Sequence, residues 1–167
     1  MKLLNLGCGH NKTPPLLREH KNVVHLDMNP DVNPDVVWDL NNHPLPFKDK
    51  EFNEIHAYDV LEHLGRQGDY KFFFREWNEY YRILKEHGYF ICSVPWGDSY
   101  WIWGDPGHTR HISPGTFIFL NQDDYKLNEE LKTQMTDYRN IYKGDFAKVW
   151  ERFDYNNSKY IVKLERK

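Results

Sequence analysis

Gly7, Cys8 and Gly9 form a turn directly after the apolar run KLLNL, and Asp27 ends a second apolar run, Val23-Val24-His25-Leu26. Without a Cβ, the two glycines let the backbone turn sharply and approach a ligand closely. An acid at the tip of the next strand can accept hydrogen bonds from both hydroxyls of a ribose. An α/β protein holds an adenosine-containing cofactor in this way. The third glycine of a dinucleotide turn is missing, because the sequence continues G-C-G-H-N-K with Lys12 in that place. That glycine lets a helix pack on the strand and face a pyrophosphate. A nicotinamide-dependent reductase is therefore the weaker reading of the turn. Asp27 and Asp39 could also be plain strand-end acids that cap turns.

Acid–base chemistry is offered further along. Asp59 follows a predicted strand, and Asp105, His108, Arg110 and His111 lie in the stretch WGDSYWIWGDPGHTRHIS, residues 96–113. An imidazole titrates near 6.5, so His108 or His111 could take a proton from an acceptor. Arg110 could pair with a substrate carboxylate or phosphate. The same residues could instead only order the loop. Asp105, His108 and His111 also count as possible metal ligands, but their spacing matches no tight zinc pattern and no metal is expected. Trp96, Tyr100, Trp101 and Trp103 could wall a planar or sugar-type substrate, or form a lid against the sheet or a second subunit.

These groups need a parallel sheet to bring them together. Short apolar runs at 2–6, 23–26, 36–38, 55–58 and 89–94 read as strands. Residues 14–20 read as a brief helix with proline in its first turn. The MNPDVNP segment cannot hold a crossover helix of ordinary length. Asp69 caps a long helix to about Glu86, with an aromatic stripe of Phe73, Trp77, Tyr80 and Tyr81 and with Gly88 as its terminator. Ser113-Pro114 opens a short helix through Leu120. Two β-rich stretches, 134–142 and 159–164, are expected to pair antiparallel around Asn156-Asn157. The expected fold is α/β and Rossmann-like, with a predominantly parallel sheet, an antiparallel C-terminal edge hairpin and minimal crossover helices.

The chain has 167 residues, of which 40% are hydrophobic and 16% aromatic, and these proportions argue against disorder. One domain over 1–167 is expected, with 96–113 as its substrate-side loop. The formal net charge is −3 with interspersed signs, so no nucleic-acid partner is implied. Two cysteines make neither a disulfide framework nor a zinc site. No apolar run approaches transmembrane length, and Met1 leaves no room for a signal peptide. A cytoplasmic protein without membrane contact is the expectation.

Taken in order, the segments LNLGCG, VHLDMNP, LPFKDKEFNEIHAYDVLEHL and EYYRILKEHGYFICSVP resemble class I S-adenosylmethionine-dependent methyltransferases of the small, stand-alone type 11 kind. The resemblance covers about residues 2–120. It implies S-adenosyl-L-methionine as cofactor, held by the Gly7-Cys8-Gly9 turn, Asp27 at the ribose, Met28 against adenine, Asp39 and Leu40 at the adenine edge, and Tyr58 near the methionine amino group. It implies methyl transfer to oxygen or nitrogen of a small-molecule or sugar-type acceptor. Asp59, His108 and His111 are then catalytic candidates, and Arg110, Trp96 and Trp101 substrate candidates. In the L-E-H block the pattern has His63 orienting the loop. The second crossover helix and an N-terminal covering helix of the family are missing here. That leaves open a homodimer or partner protein docking through the aromatic loop, or a non-catalytic cofactor-binding subunit that activates a partner.

Overall fold

The computed structural model describes residues 1–14 and 16–167. Its strands are β1 (Leu3–Leu6), β2 (Val23–Asp27), β3 (Val36–Val37), β4 (Phe52–Tyr58), β5 (Leu84–Pro95), β6 (Phe146–Asp154) and β7 (Lys159–Arg166). They make one sheet in the order β3-β2-β1-β4-β5-β7-β6. The first five are parallel, and β7 runs antiparallel to both β5 and β6. This is the expected α/β sheet with an antiparallel C-terminal edge. In β1, Leu3, Leu4 and Leu6 are all fully buried, as a strand covered on both faces requires.

Among the described residues the one crossover helix between parallel strands is α1 (Tyr70–Ile83). The Asp69 carboxylate caps it by accepting from the Phe72 N–H at 2.9 Å. Its buried face carries Phe72, Phe74, Trp77, Tyr80 and Ile83. The Trp77 ring centroid lies 4.8 Å from that of Phe90 on β5 and 5.5 Å from that of Phe146 on β6. One side chain thus ties the parallel sheet to the C-terminal hairpin. Truncating such a buried aromatic costs about 3–5 kcal/mol.

The remaining links are short. Residues 16–19 are a turn rather than the expected helix over 14–20, and Pro15 lies outside the described residues. A single turn cannot offset the cost of helix nucleation without a packed face. Pro30–Val32 is one 3-10 turn. The helix α1 also ends sooner than expected. Leu84 is extended and already pairs with Phe52, and residues 85–88 bulge out before Tyr89 rejoins β4 at Glu54. The left-handed residue there is His87, at φ 58°. Gly88 serves close approach, since a Cβ would sit 2.8 Å from the Lys85 carbonyl oxygen and 2.9 Å from that of Asn53.

The C-terminal third differs most from expectation. After α2 (Trp101–Gly104) and a 3-10 stretch at Pro114–Leu120, the chain forms α3 (Gln122–Leu131), capped by the Asn121 side chain. Residues 134–142 are not a strand, because their aromatics plug the end of α1. Tyr138 and Tyr142 lie 4.8 and 5.2 Å from Phe74 between ring centroids. The strand that pairs with β7 is instead β6, a largely exposed edge whose apolar signal is weak. No helix among the described residues is long and apolar enough to cross a membrane.

Candidate active site

Chain order reverses between β1 and β4: β1 leads to β2 on one side, and β4 leads to β5 on the other. In open α/β sheets ligands bind beyond the carboxyl ends of the strands at such a reversal. A cavity of about 210 Å³ opens there, and Gly7, Asp27, Met28, Asp39, Leu40 and Asp59 help to line it. Gly7 has φ 56°, and a Cβ on it would fall 2.6 Å from Val60 Cγ2. Only glycine keeps this floor open.

The Asp27 carboxylate is held from both sides. Its Oδ2 accepts from the Gly9 N–H at 2.8 Å and its Oδ1 from the Asn29 N–H at 2.9 Å. Each oxygen retains a lone pair for a ligand hydroxyl. Met28 is 65% exposed beside it, free to cover a planar ring. Asp39 Oδ1 accepts from the Asn41 N–H at 2.9 Å, while Leu40 is buried next to it. The turn does not hold a ligand through the Cys8 and Gly9 amides. The Cys8 N–H donates to the Leu26 carbonyl at 3.1 Å and the Gly9 N–H to Asp27, so neither faces outward. Burial and the nearby Asp27 push the Cys8 thiol up, which keeps it protonated. Tyr58 ends β4 one residue before Asp59 but does not itself line the cavity, and its hydroxyl lies 2.7 Å from His56 Nδ1.

A second cavity, about 310 Å³, adjoins the first and shares Asp59 and His63 with it. Glu62, Trp101, Asp105, His108 and Lys159 also line it. The segment after Pro95 reaches this place because it is stitched to the 3-10 turn Leu61–His63. The Thr109 N–H donates to the Glu62 carbonyl at 2.9 Å, and Arg110 Nε donates to the Leu61 carbonyl at 2.7 Å. His63 Nδ1 lies 3.1 Å from the Gly107 carbonyl, and the His63 and His108 rings meet edge to face at 4.5 Å. Asp59, in the left-handed region at φ 56°, forms an ion pair with Lys159 and accepts from Ser93 Oγ at 3.2 Å. Glu62 is 2% exposed, and neither carboxylate oxygen has a hydrogen-bond partner among the described residues. Burial, with a smaller push from Asp59, raises its carboxyl to about 7.

Three sequence expectations change here. Arg110 is not a free substrate anchor: it is 5% exposed, and its Nη2 donates to the two Glu76 carboxylate oxygens at 2.9 and 2.8 Å. His111 does not join His108 in the 310 Å³ cavity; it stacks near Trp103 and lines a separate cavity of about 340 Å³ beyond Arg110. Trp96 packs on Phe153 and Tyr160 of the hairpin, with ring centroids 5.2 and 6.1 Å away, and leaves Trp101 alone of the pair at the cavity. Glu62 and Lys159 are the residues that sequence reasoning passed over. The L-E-H block signalled Glu62, but nothing local signalled Lys159, which arrives from the last strand.

A parallel α/β sheet with its cleft at the order reversal defines a Rossmann-like cofactor-binding fold. The chain belongs to the methyltransferase domain family of class I S-adenosylmethionine-dependent methyltransferases, whose family model matches residues 4–92. Solved structures share the fold at low identity. A SAM-dependent methyltransferase from Archaeoglobus fulgidus is 17% identical with a TM-score of 0.62, over 98% of this chain and 85% of that one. The N-methyltransferase NodS from Bradyrhizobium japonicum, in complex with S-adenosyl-L-homocysteine, is 12% identical with a TM-score of 0.60, over 99% and 77%. A chain of the complex between the Haloferax volcanii Trm112 methyltransferase activator and a presumed methyltransferase is 14% identical with a TM-score of 0.63, over 98% and 81%. No curated protein matches the sequence.

Proposed function

We propose that this protein binds S-adenosyl-L-methionine in the 210 Å³ cleft and methylates oxygen or nitrogen of a small molecule held in the 310 Å³ cavity. The observation that carries this is the junction of the two cavities at Asp59 and His63. The cleft residues suit the cofactor. Gly7 leaves the room a Cβ would fill, and Asp27 presents lone pairs to ribose hydroxyls. Met28, Asp39 and Leu40 stand for the adenine, and Tyr58 ends the strand nearest the methionine part. When bound, the cofactor supplies an electrophilic methyl group on a sulfonium sulfur.

The protein's own part is to place the acceptor and receive its proton. His108 is the base in this reading: its Nδ1 lies 3.4 Å from the Ile102 carbonyl, which orients the ring and leaves Nε2 to accept. Asp59 and Lys159 hold the floor between the cavities, and Trp101 gives an aromatic wall. The segment 96–113 is the substrate-side loop. A reductase would need a pyrophosphate-facing helix after Gly9, and residues 16–19 form only a turn.

A second reading is a cofactor-binding subunit completed by a partner protein. It draws on Tyr100, which precedes α2, and on Trp101 and Trp103 within it, which are 83%, 61% and 71% exposed. The deciding experiment is calorimetric titration with S-adenosyl-L-homocysteine, repeated on Asp27→Ala and against a nicotinamide dinucleotide. Binding that Asp27→Ala abolishes, with no dinucleotide binding, supports the cofactor site. Absence of binding by the isolated chain would overturn it. Turnover that appears only with an added partner would favour the second reading.

A further inference from the structure

Glu62, His63 and His108 converge from two separate segments, with one oxygen or nitrogen of each within 4.8 Å of the others. From this convergence we infer a site for a divalent transition cation at the wall of the acceptor cavity. Several observations bear on it independently.

The first is the state of the ligand atoms. Both Glu62 oxygens are buried and unpartnered among the described residues. A buried carboxyl without a partner carries a desolvation penalty, and folds rarely leave one without a use. The neighbouring charges already cancel in pairs, Asp59 with Lys159 and Glu76 with Arg110. Among the described residues Glu62 has neither a hydrogen-bond nor an ion-pair partner of its own.

The histidines supply the second. His63 Nδ1 faces the Gly107 carbonyl at 3.1 Å, and His108 Nδ1 faces the Ile102 carbonyl at 3.4 Å. A carbonyl accepts only from N–H, so in the neutral ring each of these contacts places the proton on Nδ1 and leaves the lone pair on Nε2. Metal-bound histidines are held by this kind of outer hydrogen bond. The Asp105 carboxylate stands 3.8 Å from His108 Nε2 and adds negative charge at the rim.

The donor set decides the class of ion. Two imidazoles and one carboxylate favour zinc, ferrous iron, cobalt or manganese over magnesium or calcium, which prefer all-oxygen sites. Three protein ligands leave positions open toward the 310 Å³ cavity, where an oxygen-bearing acceptor such as an alcohol, phenol or carboxylate can bind; with an ion bound, His108 Nε2 would be a ligand and no longer the base, and the ion would itself acidify the acceptor hydroxyl. The acceptor class rests on the methyltransferase reading; the cation site does not.

The test uses untagged full-length protein, stripped with chelator and titrated with Co²⁺ alone, followed by calorimetry and visible absorption. Saturable binding of a single ion per chain is expected, with visible d–d bands and no thiolate charge-transfer band. Affinity should fall on the order of a hundredfold in Glu62→Gln, His63→Ala and His108→Ala, and stay unchanged in the surface control His20→Asn. Glu62→Gln is nearly isosteric, so it keeps the question open to a folded variant should either alanine variant fail to fold. Absence of saturable binding, or binding that survives Glu62→Gln, overturns the proposal. S-adenosyl-L-homocysteine binding is measured in parallel, because its loss with Co²⁺ binding intact sinks the methyltransferase reading alone.

Discussion

Two buried glutamates separate the region that holds this protein together from the region that is open to chemistry. Glu76, on α1, is fully buried and accepts from Arg110 Nη2 at 2.9 and 2.8 Å and from the Tyr80 hydroxyl at 3.0 Å. Burial pushes its carboxyl up, and the Arg110 guanidinium pulls it back. Glu62, on the turn that the Arg110 segment grips, is almost as buried and has no such partner. Arg110 bonds the backbone of that turn while spending its charge on the other glutamate. The fold has therefore answered one carboxylate completely and left the second available beside two histidines. Burial alone does not mark a functional residue; what distinguishes Glu62 is burial without an answer.

The contrast can be broken most severely at Arg110. Arg110→Met should destabilise the protein by about 3–5 kcal/mol in urea unfolding, because Glu76 is stranded without a counter-charge. Adding Glu76→Leu should recover most of that loss, as apolar replacement of a whole buried pair usually does. A mild single mutant would show that the pair is not structural.

His43 sharpens the contrast from the basic side. Both its ring nitrogens are buried without partners among the described residues, and burial lowers its pKa below the ordinary 6.5. Below pH 6.5 the unfolded chain takes up a proton that the folded chain resists, so stability falls as pH falls toward the lowered folded value. Glu62, raised to about 7, acts in the opposite sense over the same range, so the test is the difference from wild type: as pH falls from 7.5 to 5, urea midpoints of His43→Leu should gain on those of the wild-type protein.

At Glu62 the expected effect on the metal-free protein is small. Glu62→Gln removes an unanswered carboxylate, so stability at pH 8 should stay within about 1 kcal/mol or rise. A loss comparable to that of Arg110→Met would place Glu62 with the structural group. The smallest change is expected for Lys159→Ala, since its pair with Asp59 is about a third exposed on each side; thermal melts should register only about 0.2–1 kcal/mol.

The sequence was enough for the parallel sheet, the Gly7–Asp27 geometry and the edge position of the C-terminal hairpin. These follow from local rules: short apolar runs, strand-end acids and a turn that only glycine tolerates. Pattern also located α1, although it set the helix end late, because Gly88 looked like a terminator when its task is contact with the Lys85 and Asn53 carbonyls. The strand expected over 134–142 failed because apolar spacing does not say whether aromatics pair in a sheet or plug a helix end.

Tertiary structure alone decided the partners of the charged residues. Arg110 and His108 are nearly adjacent in sequence, yet one turns to Glu76 and the other to the cavity wall with Glu62 and His63. Lys159 reaches Asp59 only because β7 runs antiparallel beside β5, bringing the start of that strand to the cleft. Sequence names the chemical groups; which charge meets which is fixed by chain crossings between distant segments, because electrostatic pairing acts through space and carries no local signature.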